Sequence, residues 1–179
     1  HPFLTIKTEY TSEDYANAPI ILIEDKEVTF GVHDENTAQE YIDTYLELAQ
    51  QQEKEYNIPV SITLAQGLHE SNAGQSKLAV NNNNHFGIKC FNRYCKKGHC
   101  VNYKDDSHKD FFMNFKSAWA CYNYRSKFLQ KDRYKHLFKL KKTDYKGWAN
   151  GLQKAGYATD KNYAKKLIRT IEKYDLHKL

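Results

Sequence analysis

Glu70 is the residue whose setting could support chemistry. It closes the run Leu64-Ala65-Gln66-Gly67-Leu68-His69-Glu70-Ser71, near the end of a mostly uncharged segment, 58–74, in a chain that is otherwise rich in charge. A carboxyl among apolar neighbours is costly to ionise, so it holds its proton closer to neutral pH. Such a group can act as a general acid. The ordinary alternative is a helix-end glutamate facing water. The run that follows, Asn81-Asn82-Asn83-Asn84-His85-Phe86-Gly87-Ile88-Lys89, favours the chemical reading.

Two other motifs fail. His69-Glu70 begins like H-E-x-x-H, but Ala73 stands where the second histidine would bind zinc, which excludes that peptidase class. The basic and aromatic residues from Lys131 to His136 could suggest nucleic-acid binding. At helical spacing they read better as a solvated face over a core stripe.

The elements that must position Glu70 are mainly helical. Thr37-Ala38-Gln39-Glu40 reads as a capping box, followed by Tyr41, Ile42, Tyr45, Leu46 and Ala49 at helical spacing. Asn57-Ile58-Pro59 breaks that helix, and Pro59 can open the next, running towards Gly74 as its C-cap. From Asn81 to Phe115 the Asn, Cys and Gly content predicts a loop and a small, irregular β-rich lobe, at about 90–115. Helices are expected again over about 117–140 and 143–154. A last one is capped by Asp160, with Tyr163, Ala164, Leu167, Ile168, Ile171 and Tyr174 on one stripe. Residues 1–36 differ: Ile20-Ile21-Leu22-Ile23 and Val28-Thr29-Phe30 read as short strands of an arm or hairpin. The fold class is therefore mainly α (α+β), an N-terminal arm (1–36) followed by one helical domain (37–179) with a β-lobe.

With 179 residues the chain is long enough for a real core. Its fourteen tyrosines, nine phenylalanines and two tryptophans can line a sugar-binding cleft as well as fill that core. The net charge of +5 suits an anionic partner, and the basic residues concentrate between Lys127 and Lys178. No stretch approaches a membrane-spanning length. Cys90, Cys95, Cys100 and Cys121 are most simply structural, with at least one disulfide expected within Cys90 to Cys100. A zinc site using them with His85 or His99 is the alternative, although the spacing fits no standard ligand pattern.

Three motifs in order carry a resemblance: Ser61 to Ser71, Asn83 to Lys89, and Gly156-Tyr157-Ala158-Thr159-Asp160 with Asn162-Tyr163-Ala164. Together they resemble glycoside hydrolase family 73, the peptidoglycan-cleaving endo-β-N-acetylglucosaminidases, over about residues 38–176. The resemblance implies a lysozyme-like fold and cleavage of the β-1,4 bond between N-acetylglucosamine and N-acetylmuramic acid. It places the catalytic acid at Glu70 and a second carboxylate in the lobe, at Asp105 with Asp106 as substitute. The substrate's own N-acetyl group could replace that second carboxylate. Asn84, Phe86, Tyr157 and Tyr163 match cleft-lining positions, while Tyr163 also reads as core and Phe86 as a buried anchor. No metal and no cofactor are expected. The implied partner is the peptidoglycan glycan strand, without nucleic acid or stable membrane insertion. The chain begins at His1 without a methionine, as after loss of a leader, and a secreted, periplasmic or envelope-associated bacterial location is expected.

One segment departs from the family pattern, aromatic-Arg-x-Tyr-x-Ser-x-x-Glu-Ser. Met113, Phe115 and Ala120 stand where it has Arg, Tyr and Glu. That change implies either a swapped structural ion pair or altered cleft contacts. The rival functions are a lytic transglycosylase-like activity and a glycan-binding module with weakened catalysis.

Overall fold

The computed structural model describes residues 35–90, 96–103 and 111–179. Residues 1–34 of the expected arm, Cys95, Asp105 and Asp106 lie outside the described residues, while the arm's last two residues belong to the first helix.

Helix α1 (Glu35–Tyr56) buries Ala38, Tyr41, Ile42 and Ala49 along one stripe. It starts before the expected capping box, so Thr37 and Glu40 lie inside it as ordinary helical residues. Asn57, at φ 59°, turns the chain into Ile58-Pro59. Helix α2 (Val60–Glu70) follows, and Glu53 of α1 accepts a hydrogen bond from its first amide, Val60 N, at 3.3 Å. Every residue of α2 from Val60 to Leu68 is buried. A helix apolar or uncharged all round is a core helix, and this one packs against α1, α5 (Tyr145–Lys154), α6 (Tyr163–Lys173) and the closing 3-10 turn Leu176–Lys178.

Close approach explains Gly67. A Cβ there would sit 2.5 Å from Tyr41 Oη, so only glycine lets the tyrosine cross α2 at this height. The helix stops at Glu70, four residues before Gly74, because Asn72, Ala73 and Gly74 are all left-handed. Ser71 stabilises the stop: its hydroxyl donates to Gly67 O at 2.6 Å and accepts from Gly74 N at 2.7 Å.

A short helix, α3 (Lys77–Asn82), not foreseen in the sequence, is capped by Ser76 and ends at left-handed Asn83. The lobe is smaller in sheet than expected: β1 (Cys100–Val101) pairs antiparallel with β2 (Phe112–Met113), Cys100 opposite Met113. A disulfide joins Cys90 to Cys100, as expected within that stretch. Helix α4 (Ala118–Phe128), capped by Ser117, ends sooner than expected and hands over to a 3-10 helix, Asp132–Lys139. Asp160 does not cap α6 directly. Its carboxylate takes Asn162 N at 2.8 Å and Lys166 Nζ at 2.5 Å, while Asn162 occupies the cap position.

The main core gathers the stripes of α1, α2, α5 and α6; a second apolar cluster under the lobe holds Phe86, Met113, Phe115, Ala120, Cys121 and Tyr122. The three positions that depart from the family pattern are thus interior, and their apolar side chains fill it. The lysines and arginines from Lys127 onward are exposed, as a solvated face should be. Among the described residues no helix is long and apolar enough to cross a membrane.

A lobe with two residues per strand buries too little to hold itself, so its covalent tie should matter. Replacing Cys90 with serine should destabilise the lobe by about 2–3 kcal/mol, the usual effect of opening a short loop. Hydrogen exchange should then quicken at Cys100 and Met113 but not at Leu64 or Leu167. Equal quickening at all four would contradict a separately stapled lobe.

Candidate active site

Glu70 lies where α2 leaves the interior, and it is partly buried. Burial pushes its carboxyl up to about 7, against a smaller opposing effect from a hydrogen bond with Tyr163. This is the behaviour expected of a carboxyl in an uncharged helix end. His69, beside it, ties the helix end to α6, its Nε2 lying 3.2 Å from Lys166 O and 2.9 Å from Thr170 Oγ1.

The asparagine run forms a loop over the carboxyl. At Gly87 (φ 58°) a Cβ would meet Glu70 Oε2 at 3.9 Å, so this turn faces the acid directly. The asparagines fix the loop to the lobe. Asn82 Nδ2 donates to Asn114 Oδ1 at 3.0 Å, Asn83 Nδ2 to Phe115 O at 3.0 Å, and Asn84 Nδ2 to Met113 O at 2.9 Å. Asn84 also spans its own turn, donating to Ile88 O and accepting from Ile88 N at 2.9 Å.

This geometry places two of the expected sugar contacts in the interior. Asn84 is 0% exposed with its amide engaged, and Phe86 is 4% exposed, edge-on to Tyr122 at 4.8 Å between centroids. Both hold the loop from beneath. Below them Cys121, a free and buried thiol, lies 3.9 Å from Asn84 Oδ1, and burial pushes its pKa up to about 12.

Tyr157 and Tyr163 stack at 5.7 Å and 23°. Tyr157 is half-buried, in the loop that Arg133 anchors by donating from Nε to Ala155 O at 3.0 Å and from Nη2 to Gly156 O at 3.1 Å. Tyr163 is 5% exposed and belongs to the core as well as to the acid. Burial raises both phenols, so both stay neutral donors.

Sequence reasoning missed the layer behind them. Gln66, one turn before Glu70 on the same face of α2, donates to Tyr163 Oη at 2.7 Å and accepts from the Arg125 guanidinium. The i, i+4 spacing of Gln66 and Glu70 was the available signal; nothing local marked Arg125. On the far side, Tyr41 Oη lies 2.8 Å from Tyr122 Oη and 3.2 Å from His85 Nδ1. Burial drives His85 down to about 4, so it is neutral there.

Cys90, His99 and Cys100 are the described residues closest to a metal-binding set, their donor atoms lying within 4.8 Å of one another. Both sulfurs are joined in the disulfide, so no thiolate is available to a metal in this state.

Similar proteins share this plan. The profile of a glucosaminidase family, described as mannosyl-glycoprotein endo-beta-N-acetylglucosaminidase, matches residues 46–176. The exo-glucosaminidase LytG of Bacillus subtilis is 35% identical, over 77% of this chain and 52% of its own length. The chain thus spans about half of that relative. Among solved structures, the catalytic domain of the autolysin Auto from Listeria monocytogenes superposes with a TM-score of 0.67 at 28% identity, covering 83% of this chain and 90% of that one. The glycoside hydrolase domain of FlgJ from Salmonella typhimurium gives 0.63 at 26%, covering 77% and 88%. The helical domain with its small lobe is therefore the lysozyme-like fold that the motifs implied.

An acid held near 7 in the folded state and near 4.5 in the unfolded one makes stability depend on pH. Below 4.5 both states are protonated and there is no penalty. The penalty grows as pH rises from 4.5 to 7, because the native state resists losing the proton, and is complete above 7. Glu70→Gln should therefore equal the native protein in urea stability at pH 4 and exceed it at pH 8 by up to about 3 kcal/mol. Equal stability at both pH values would show that the carboxyl is not desolvated.

Proposed function

The chain belongs to the glucosaminidase family, glycoside hydrolase family 73, and on that basis we propose that it cleaves peptidoglycan with Glu70 as the general acid. The bond cut is the β-1,4 linkage between N-acetylglucosamine and N-acetylmuramic acid. The observation that carries this reading is a carboxyl at the open end of a buried helix, facing the Gly87 turn, where burial pushes it up to about 7.

Glu70 gives its proton to the leaving oxygen as the glycosidic bond breaks and an oxocarbenium-like centre develops. The carboxylate left behind is then stabilised by the hydroxyl of Tyr163. Water completes the reaction and a reducing end forms. Asp105, with Asp106 as substitute, supports the other face of the sugar, or the substrate's acetamido group does so in their place. Tyr157, partly buried beside Tyr163, is the residue whose remaining exposed face can pack on a pyranose ring. Asn84 and Phe86 act indirectly, by holding the Gly87 turn over the acid. The interior positions of Met113, Phe115 and Ala120 favour an exchange within the packing over a loss of catalysis. An extracytoplasmic site of action, at the wall, follows from the substrate.

Glu70→Gln should lose at least about 10²-fold in the rate of sacculus hydrolysis while still binding glycan. In the native enzyme, activity should fall as pH rises through about 7, because the acid loses its proton there. Activity of the Gln variant within threefold of native would end the assignment. Asp105→Asn should lower kcat far more than affinity, with Asp106→Asn milder; near-native rates for the double variant would transfer the role to the acetamido group. Mass spectrometry of the products should show reducing N-acetylglucosamine ends. A 1,6-anhydro end would mean a transglycosylase instead, and release of only terminal units would mean exo action.

A further inference from the structure

Arg125 is a buried cation without a carboxylate. It is 1% exposed, and among the described residues its partners are neutral. Nη1 donates to Thr63 Oγ1 at 3.0 Å, Nη2 donates to Gln66 Oε1, and the guanidinium lies 5.3 Å from the centroid of Phe86. Its Nε is buried with no hydrogen-bond partner among the described residues. A buried charge held this way is expensive, and the main core has no need of a charge at this point.

The chemistry of the donors gives it a use. A guanidinium only donates. Gln66 must therefore turn its carbonyl to Arg125, which leaves its NH2 directed at Tyr163 Oη, 2.7 Å away. A phenol has one proton. With its oxygen accepting from Gln66, that proton is left to point at Glu70, whose carboxyl Tyr163 lowers against the rise from burial. Two hydrogen bonds thus run in one direction, from the interior cation to Tyr163, and turn the phenol proton toward the carboxyl. We propose that Arg125 is a positioning residue: through Gln66 and Tyr163 it keeps a hydrogen-bond donor aimed at Glu70 without touching it.

This rests on the reading of Glu70 as the acid, and it explains how a desolvated carboxyl remains strong enough to release its proton to a sugar oxygen. Without Arg125, Gln66 can turn over, Tyr163 can donate to Gln66 Oε1 instead, and Glu70 faces a lone pair. The carboxyl then holds its proton to higher pH. The other groups around the acid do not confuse the readout. Tyr157 and Tyr163 stay neutral, His69 is engaged with α6, and His85 in the overlying loop turns to Tyr41 and Tyr45. Lys89, at the end of that loop, lies over the ring of Phe112.

The test follows Glu70 directly, by carbon NMR titration of its carboxyl, beside the alkaline limb of the kcat/KM profile. Tyr163→Phe and Arg125→Met should each raise the midpoint by about one pH unit, a tenfold change in proton affinity, and Arg125→Lys should reverse part of that rise. Gln66→Met removes the acceptor that could compete for the Tyr163 proton, so its midpoint should stay near native, and adding Arg125→Met to it should change nothing further. A through-space effect of the cation would instead raise the midpoint of the double variant as much as that of Arg125→Met alone. That equal rise overturns the proposal, as does an unchanged midpoint in folded Arg125→Met, or in Tyr163→Phe if Arg125→Met fails to fold. If Glu70→Gln remains active, Glu70 is not the acid, and the carboxyl titration still decides whether the chain of donors exists.

Discussion

The burial of α2 governs everything around it. From Val60 to Leu68 the helix has no face on water, so every neighbour must be shaped to it and any charge it carries must wait for its end. Gly67 admits Tyr41, Glu53 of α1 serves the first amide, and α5, α6 and the closing 3-10 turn cover the rest. Glu70 is an ionisable residue placed where that enclosure opens, and burial raises its pKa because the opening is incomplete. Partial exposure and partial isolation from water both come to this carboxyl from a single boundary.

The same boundary explains the division of labour around it. Apolar packing sets the height of Glu70, while the overlying loop is set by amides: three consecutive asparagines reach the segment 113–115. Hydrogen bonds of that kind are directional where apolar contacts are not, which suits a turn so placed that a Cβ on its glycine would meet a carboxyl oxygen at 3.9 Å. The disulfide then holds Cys90, just past that loop, to β1.

Much of this was legible in the residues. The uncharged run around Glu70 foretold its desolvation, helical spacing gave the stripes of α1 and α6, and the cysteine cluster gave the staple. The errors have physical causes. Thr37 to Glu40 has the composition of a capping box, but a helix can begin upstream of one. Gly74 looked like the cap of α2, yet Asn72 and Ala73 already turn left-handed before it. Asn84 and Phe86 match a motif, and a motif does not say which way a side chain points; burial does. The link from Arg125 through Gln66 to Tyr163 was beyond reach because its contacts join residues 59 and 97 positions apart, and no local pattern encodes a pairing of that range.

Cys121 carries a consequence for how the protein ages. Its thiol is enclosed below Asn84, protonated at any ordinary pH, and so inert to oxidants while the fold is closed. Opening exposes it, and an oxidised or adducted sulfur is larger and more polar than the thiol that this fully buried site holds. Refolding would then stop short of the native state. Each excursion into the unfolded state thus risks becoming permanent, and the working life of a molecule is measured by how rarely it opens rather than by its equilibrium stability.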